Sequence, residues 1–223
     1  MNSFKILLSA SLLALSTMPS LADGPVAPGE DGVSVLNTQI NLQNNWSNLN
    51  VRVDKVGGDA VAQGAAAGNL VDIMTMHNTF VTNDQTVGPG AAIGSNINMN
   101  ANKIWGSVGI QNQVVCNGAS VSSDPITTTV SSNQECHAGD PYSGITASIR
   151  NVAGDAVIQG SAMGNSFQAD SNAGSFGITT RQLNNSANVS NINSNVYNVG
   201  GSVGFSSSAI GNSSQIIQYN THH

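Results

Sequence analysis

The sequence predicts an all-β fold, a repeat β-solenoid of four units of about 48 residues. Three observations lead there. One pattern recurs at Val56-Gly57-Gly58-Asp59, Ile104-Trp105-Gly106-Ser107, Val152-Ala153-Gly154-Asp155 and Val199-Gly200-Gly201-Ser202. Two columns are identical in every copy: Gly58, Gly106, Gly154 and Gly201, then Asn69, Asn117, Asn165 and Asn212. Each copy also alternates apolar and polar residues with a period of two, the strand signature. A fixed period marks stacked units, none of which buries its apolar face alone. An antiparallel β-sandwich is the alternative architecture.

The elements follow in chain order. Residues 1–22 read as a secretory signal peptide, with Lys5 before an apolar run from Ile6 to Leu15 and the small-x-small site Ser20-Leu21-Ala22. Residues 23–32, containing Pro25, Pro28 and Gly29, read as a flexible leader. The repeat region is expected over 33–218, with a tail over 219–223. Within each unit a first strand carries the apolar columns Leu49, Ile97, Ile145, Ile192 and Val53, Ala101, Ile149, Val196, with asparagines such as Asn48, Asn50, Asn96 and Asn98 between them. A second strand follows the shared glycine, with Ala62, Ile110, Ile158 and Phe205. A third follows the Gly-Asn pair, with Ile73, Val121, Ala169 and Ile216. Gly68-Asn69, Gly164-Asn165 and Gly211-Asn212 read as tight corners, because glycine and asparagine tolerate positive φ best. A fainter echo, Gly90-Ala91-Ala92-Ile93-Gly94 after Gly64-Ala65-Ala66-Ala67-Gly68, suggests two coils per unit and roughly eight coils in all.

Matching positions in stacked coils lie directly above one another at about 4.8 Å. The Asn69 column and a second column, Gln63, Gln111 and Gln159, are therefore expected to form side-chain amide ladders. Cys116 and Cys136 are expected to form one disulfide, closing a loop over 116–136 that protrudes from the repeat or is locally stapled. No capping element follows the last copy, so the C-terminal face is expected to stay open. An uncapped strand edge can template another chain of the same cross-section.

The chemistry that is absent narrows the function. Twelve acidic residues against six basic ones give a formal net charge of −6, with no basic stripe for nucleic acid. Charged residues make up only 8% of the chain, far below an ordinary soluble domain, so little repulsion opposes association. None of His77, His137, His222 and His223 recurs in the repeat register, and whether His222-His223 are native is left open. No metal or cofactor site, and no catalytic triad or paired carboxylates, can be read, so the chain is expected not to be an enzyme. Asp59 and Asp155 share a column with Ser107 and Ser202, which fits turn capping better than calcium.

Gln159-Gly160-Ser161-Ala162-Met163-Gly164-Asn165-Ser166-Phe167-Gln168 and Gly211-Asn212-Ser213-Ser214-Gln215-Ile216-Ile217-Gln218 resemble the curlin repeat. The longer unit, with Asn-Ile-Asn before Val-Gly-Gly and Ala-x-Gly-Asn after it, is similar to the holdfast-anchoring proteins, curlin-related and associated with the outer membrane. Curlin repeats are shorter and more regular, and the cysteine pair has no curlin counterpart. The resemblance implies a secreted structural protein at the bacterial cell surface, a curli-like amyloid fibre or holdfast-anchoring subunit in attachment and biofilm. Its expected partners are further copies, related fibre subunits, outer-membrane secretion or anchoring proteins, and polysaccharide. Two other readings are a glycan-binding adhesin that uses the 116–136 loop and a secreted polysaccharide-active β-helix enzyme.

Overall fold

The computed structural model describes residues 33–76, 78–124, 127–172 and 175–219. The expected signal peptide and leader, His77, Pro125 and the His222-His223 pair lie outside these residues. Twelve strands form three parallel sheets of four. The first sheet holds β1 (Val33–Asn41), β4 (Thr79–Val87), β7 (Thr127–Cys136) and β10 (Ser175–Asn184). The second holds β2 (Asn45–Val56), β5 (Ala92–Ile104), β8 (Gly139–Val152) and β11 (Val189–Val199). The third holds β3 (Ala60–Thr75), β6 (Val108–Ser123), β9 (Ala156–Ser171) and β12 (Val203–Gln218). The chain visits the sheets in turn and then climbs one level, the course of a right- or left-handed β-solenoid of four coils. Parallel pairing in every sheet excludes the antiparallel sandwich.

One unit is one coil, not two. Leu49 pairs with Ile97, Ile97 with Ile145 and Ile145 with Ile192, each step a whole unit. The two halves of the faint echo lie in different sheets, Gly64 to Gly68 in β3 of the third and Gly90 to Gly94 at the turn into β5 of the second, and the first sheet stands between them. Register in the first sheet steps from Val33 to Thr79 and from Thr79 to Thr128, unequal to the spacing elsewhere.

The Gly-Asn pairs also differ from expectation. They lie inside single 16-residue strands rather than between two. In β6 the alternation of buried and half-buried residues breaks over Val114 to Ala119, all buried, so the strand changes direction at Cys116-Asn117. The first half packs on the second sheet, where Ile97, Ile110, Ile149 and Ile158 share a core. The second half packs on the first sheet, where Val81, Val121, Val130 and Phe167 share another. At Gly68 and Gly164 the glycine serves close approach, not φ, whereas Gly211 has room for a Cβ and Cys116 fills the same place in β6. A Cβ on Gly68 would meet Val87 at 2.6 Å and press on the Cys116 carbonyl.

Positive φ appears one corner earlier, at Lys55, Lys103, Asn151 and Asn198, between the second and third sheets, with φ of 55 to 58°. Just beyond it stand the shared glycines, whose backbones bond coil to coil: Gly154 N–H donates to Gly106 O at 2.9 Å and Gly201 N–H to Gly154 O at 3.0 Å. A Cβ on Gly154 would meet Gly106 O at 2.8 Å, and Gly106 and Gly201 are crowded in the same way, whereas Gly58 of the first coil has open space.

Cys116 and Cys136 form a disulfide with a Cα–Cα distance of 6.0 Å. Both are fully buried with Val87, Ile93 and Val114 in a third core cluster. The bridge crosses the solenoid interior from β6 to β7. Of the described residues between them all but Asp124 lie in β6 and β7, so no protruding loop is seen among the described residues, and the adhesin reading loses its premise. Replacing both cysteines by alanine is expected to lower the unfolding free energy by roughly 3 kcal/mol, the entropy of a loop of this length. Urea unfolding of the variant against the oxidised wild type checks this. An unchanged midpoint would mean that core packing alone sets the stability.

Candidate functional site

Parallel in-register stacking sets each interior side chain against its own counterpart in the next coil. An inward polar group must therefore bond to itself, and a primary amide, with donor and acceptor in one side chain, can do so indefinitely. At the bend of the third sheet, Asn69 Nδ2 donates to Asn117 Oδ1 at 2.9 Å, Asn117 to Asn165 at 2.8 Å and Asn165 to Asn212 at 2.8 Å. Each Nδ2 also donates sideways to the first sheet: Asn69 to Thr86 O, Asn117 to Glu135 O and Asn165 to Leu183 O. The column thus stitches coils along the axis and ties two sheets across it.

A second interior amide ladder exists, but not in the expected column. Gln63, Gln111 and Gln159 stack in register on outward positions of the third sheet, Gln63 exposed and the others half-buried. The ladder runs through Gln39, Gln85, Gln134 and Gln182 of the first sheet, linked at 3.0, 2.9 and 2.8 Å. Each glutamine donates its other N–H across to the third sheet, on Leu70, Gly118, Ser166 and Ser213 carbonyls. A shorter column beside it joins Asn37 to Asn83 at 2.7 Å and Asn83 to Ser132 at 3.0 Å. These columns were hidden because the first sheet does not keep the regular unit spacing and turns polar groups inward.

The Asp59 column caps backbone groups, and does so between coils. Ser107 N–H donates to Asp59 Oδ1 at 2.7 Å, Asp155 N–H to Ser107 Oγ at 3.1 Å and Ser202 N–H to Asp155 Oδ1 at 2.7 Å. Each side chain accepts from its own successor.

The ladders have direction. Asparagine amides donate up the chain, each coil to the next, whereas glutamine amides donate down it. The first coil therefore presents Asn69 Oδ1 as an acceptor and a Gln39 N–H as a donor. The last coil presents an Asn212 N–H as a donor and Gln182 Oε1 as an acceptor. Among the described residues nothing covers either end. In the last coil the inward positions that would be core are only half-buried or exposed, as at Ile192, Val196 and Phe205. Four buried oxygens without a partner also fall there, on Thr180, Asn184, Asn188 and Ser194. The last coil is tied down by Arg181, which donates to Glu135 of the coil below. That bond, with His137 beside it at 3.3 Å, holds the Glu135 carboxyl below the usual carboxylate range.

A family model described as holdfast attachment protein D matches residues 54–223, from the end of β2 onward. No curated protein and no solved structure matches the chain.

Two outcomes test this arrangement. Asn117→Ala removes a fully buried amide and orphans its three partner groups, so it is expected to cost about 3 to 5 kcal/mol, while Gln111→Ala on the outward column stays within about 0.5 kcal/mol. Comparable losses from both in chemical denaturation would mean that the ladder adds nothing special. Because the Glu135 pKa is depressed on folding, its contribution is present above the unfolded carboxylate pKa and disappears as pH falls through the lower folded value. The stability difference between wild type and Glu135→Gln should accordingly shrink toward zero in acid; a difference independent of pH would contradict it.

Proposed function

The chain belongs to the holdfast attachment protein D family and is a holdfast-related protein of the cell surface, and from that premise we propose that it acts structurally, by stacking end to end on further copies or on related surface subunits. The observation that supports this reading is the complementarity of the two open ends. Seating the first coil of one copy on the last coil of another brings an Asn212 N–H toward Asn69 Oδ1 and a Gln39 N–H toward Gln182 Oε1. Both ladders then run on without a break, with the three sheets continuing at the same spacing.

Such a contact is heterologous and does not close on itself, so it builds a linear fibre of cross-β spacing rather than a ring. Low charge favours it, since stacking repeats every column and would repeat every like-charge repulsion. An outer-membrane secretion or anchoring protein would terminate the stack by offering the same cross-section at one end. No enzymatic step enters this role.

Purified protein at micromolar concentration is expected to form unbranched filaments one solenoid wide, seen by electron microscopy with a thioflavin response after a lag. The double variant Gln182→Arg, Asn212→Asp puts unlike groups on the last coil and is expected to stop elongation, with the monomer's circular dichroism reporting that it still folds. A wild type that remains monodisperse without a partner, or a double variant that elongates normally, would overturn stacking through these ends.

A further inference from the structure

One interior corner is built differently at the two ends of the chain. It lies between the first and second sheets, where the third core cluster packs around the disulfide. In the first sheet the column there reads Asn41, Val87, Cys136 and Asn184. In the second sheet, one residue before the column Trp46, Gly94, Tyr142 and Val189, stand Asn45, Ile93, Pro141 and Asn188. The two middle coils are apolar and buried at these places, and the two end coils carry asparagine at both. Corner length follows the same division. The asparagines stand four residues apart in Asn41-Leu42-Gln43-Asn44-Asn45 and again in Asn184-Asn185-Ser186-Ala187-Asn188. The equivalent residues are six apart from Val87 to Ile93 and five apart from Cys136 to Pro141. At this corner coil one matches coil four better than either matches the coil it touches.

The bonding agrees. Asn45 Nδ2 donates to Ala67 O at 2.7 Å and Asn188 Nδ2 to Ile210 O at 3.0 Å. Ala67 and Ile210 are the first and last members of one column of the third sheet. Asn41 Oδ1 accepts from Gln43 N–H and Asn184 Nδ2 donates to Ser186 O, so each amide bonds to the backbone two residues on. Exposure to water does not account for these asparagines. Other interior columns stay apolar through to both ends, as from Leu49 to Ile192, Val53 to Val196 and Ile73 to Ile216. In coil four, moreover, Asn184 Oδ1 and Asn188 Oδ1 are buried and, among the described residues, without a hydrogen-bond partner. A buried amide oxygen left unpaired is a cost that the single chain does not offset.

We propose that these four asparagines are a self-recognition contact, so that the open end takes a second copy of this chain, coil one on coil four. The inference rests on the end-to-end stacking proposed above and names its partner. In such a seam Asn41 lies over Asn184 and Asn45 over Asn188, one coil step of about 4.8 Å apart. Primary amides carry donor and acceptor both, and the terminal torsion of asparagine is broad, so two of them pair whichever way either is turned. Columns that are apolar between coils two and three thus become amide columns only between chains. Alternating columns also return in phase after four coils. Asn44 Oδ1 accepts from Ala92 N–H at 2.8 Å and Asp140 Oδ1 from Ala187 N–H at 3.0 Å, so the seam again sets Asn44 after Ala187. It likewise sets Asp59 after Ser202, as Asp155 follows Ser107. A subunit with an apolar corner would instead bury two amides against hydrocarbon, which discriminates against it.

Two single variants of the full chain test the seam, Asn45→Cys in one preparation and Asn188→Cys in another. Within one chain these positions are three coil steps, about 15 Å, apart, whereas stacked residues at about 4.8 Å fall inside the Cα range of a disulfide. Mixed and oxidised with glutathione, the two preparations are expected to give a covalent dimer on non-reducing gels, and neither is expected to do so alone. In parallel, Asn184→Val with Asn188→Ile gives coil four the residues of coil two, and circular dichroism reports whether it still folds. Its critical concentration for filament growth is expected to rise about tenfold, the loss of one to two hydrogen-bonded pairs. Wild-type filaments without a cross-link in the mixture, or a critical concentration unmoved in the folded double variant, overturn self-recognition and leave stacking standing. Cross-linking of either preparation alone means that like ends meet and overturns the order of coils. A wild type that never forms filaments overturns stacking itself, and this contact with it.

Discussion

Like must sit on like: this constraint, imposed by parallel in-register stacking, governs the rest of the molecule. Every side chain of a coil meets the corresponding side chain of the next about 4.8 Å away. Apolar columns satisfy the rule trivially, and Ile97, Ile145 and their neighbours form a continuous core. Buried polar columns satisfy it only if a group can bond to a copy of itself. Asn and Gln can, which is why the interior amides are Asn69, Asn117, Asn165, Asn212 and Gln39, Gln85, Gln134, Gln182. Each uses its second N–H to reach across to another sheet, so one residue type serves both the axis and the cross-section.

The same rule explains the scarcity of charge. A charged column would repeat its repulsion at every level, and the carboxylates here alternate with neutral partners. Asp59 and Asp155 have Ser107 between them, and each accepts the next coil's backbone N–H. Arg181 and Glu135, offset by two residues along adjacent strands, convert the rule into attraction. The glycine columns are its steric counterpart, since at the tightest corners the backbone of one coil occupies the space of a side chain in the next.

A stack obeying such a rule has no intrinsic end. Among the described residues, the rows of donors and acceptors that close within coils two and three stay open at coils one and four, with opposite sense in the asparagine and glutamine ladders. The side of the solenoid is free of this demand and can vary from column to column. That freedom is where the aromatic and basic residues gather, on the second sheet and its corner.

The sequence by itself determined the class of fold, the unit of about 48 residues, the interior columns of the second and third sheets and the asparagine ladder's members. All of these rest on residues repeating at one spacing, which stacking turns into contact. Only the tertiary structure decided that one unit is one coil. It also showed that Gly68-Asn69 is a bend within a strand, that Lys55 and Lys103 carry the positive φ, and that the disulfide lies inside. The first sheet escaped detection for a physical reason. Its inward positions hold Asn37, Gln39, Asn83 and Gln85 while Leu36 and Ile40 face outward, an inversion of the usual pattern that amide pairing between coils makes stable. A code of apolar-in and polar-out cannot see it, because the compensation lies in a residue of the next coil.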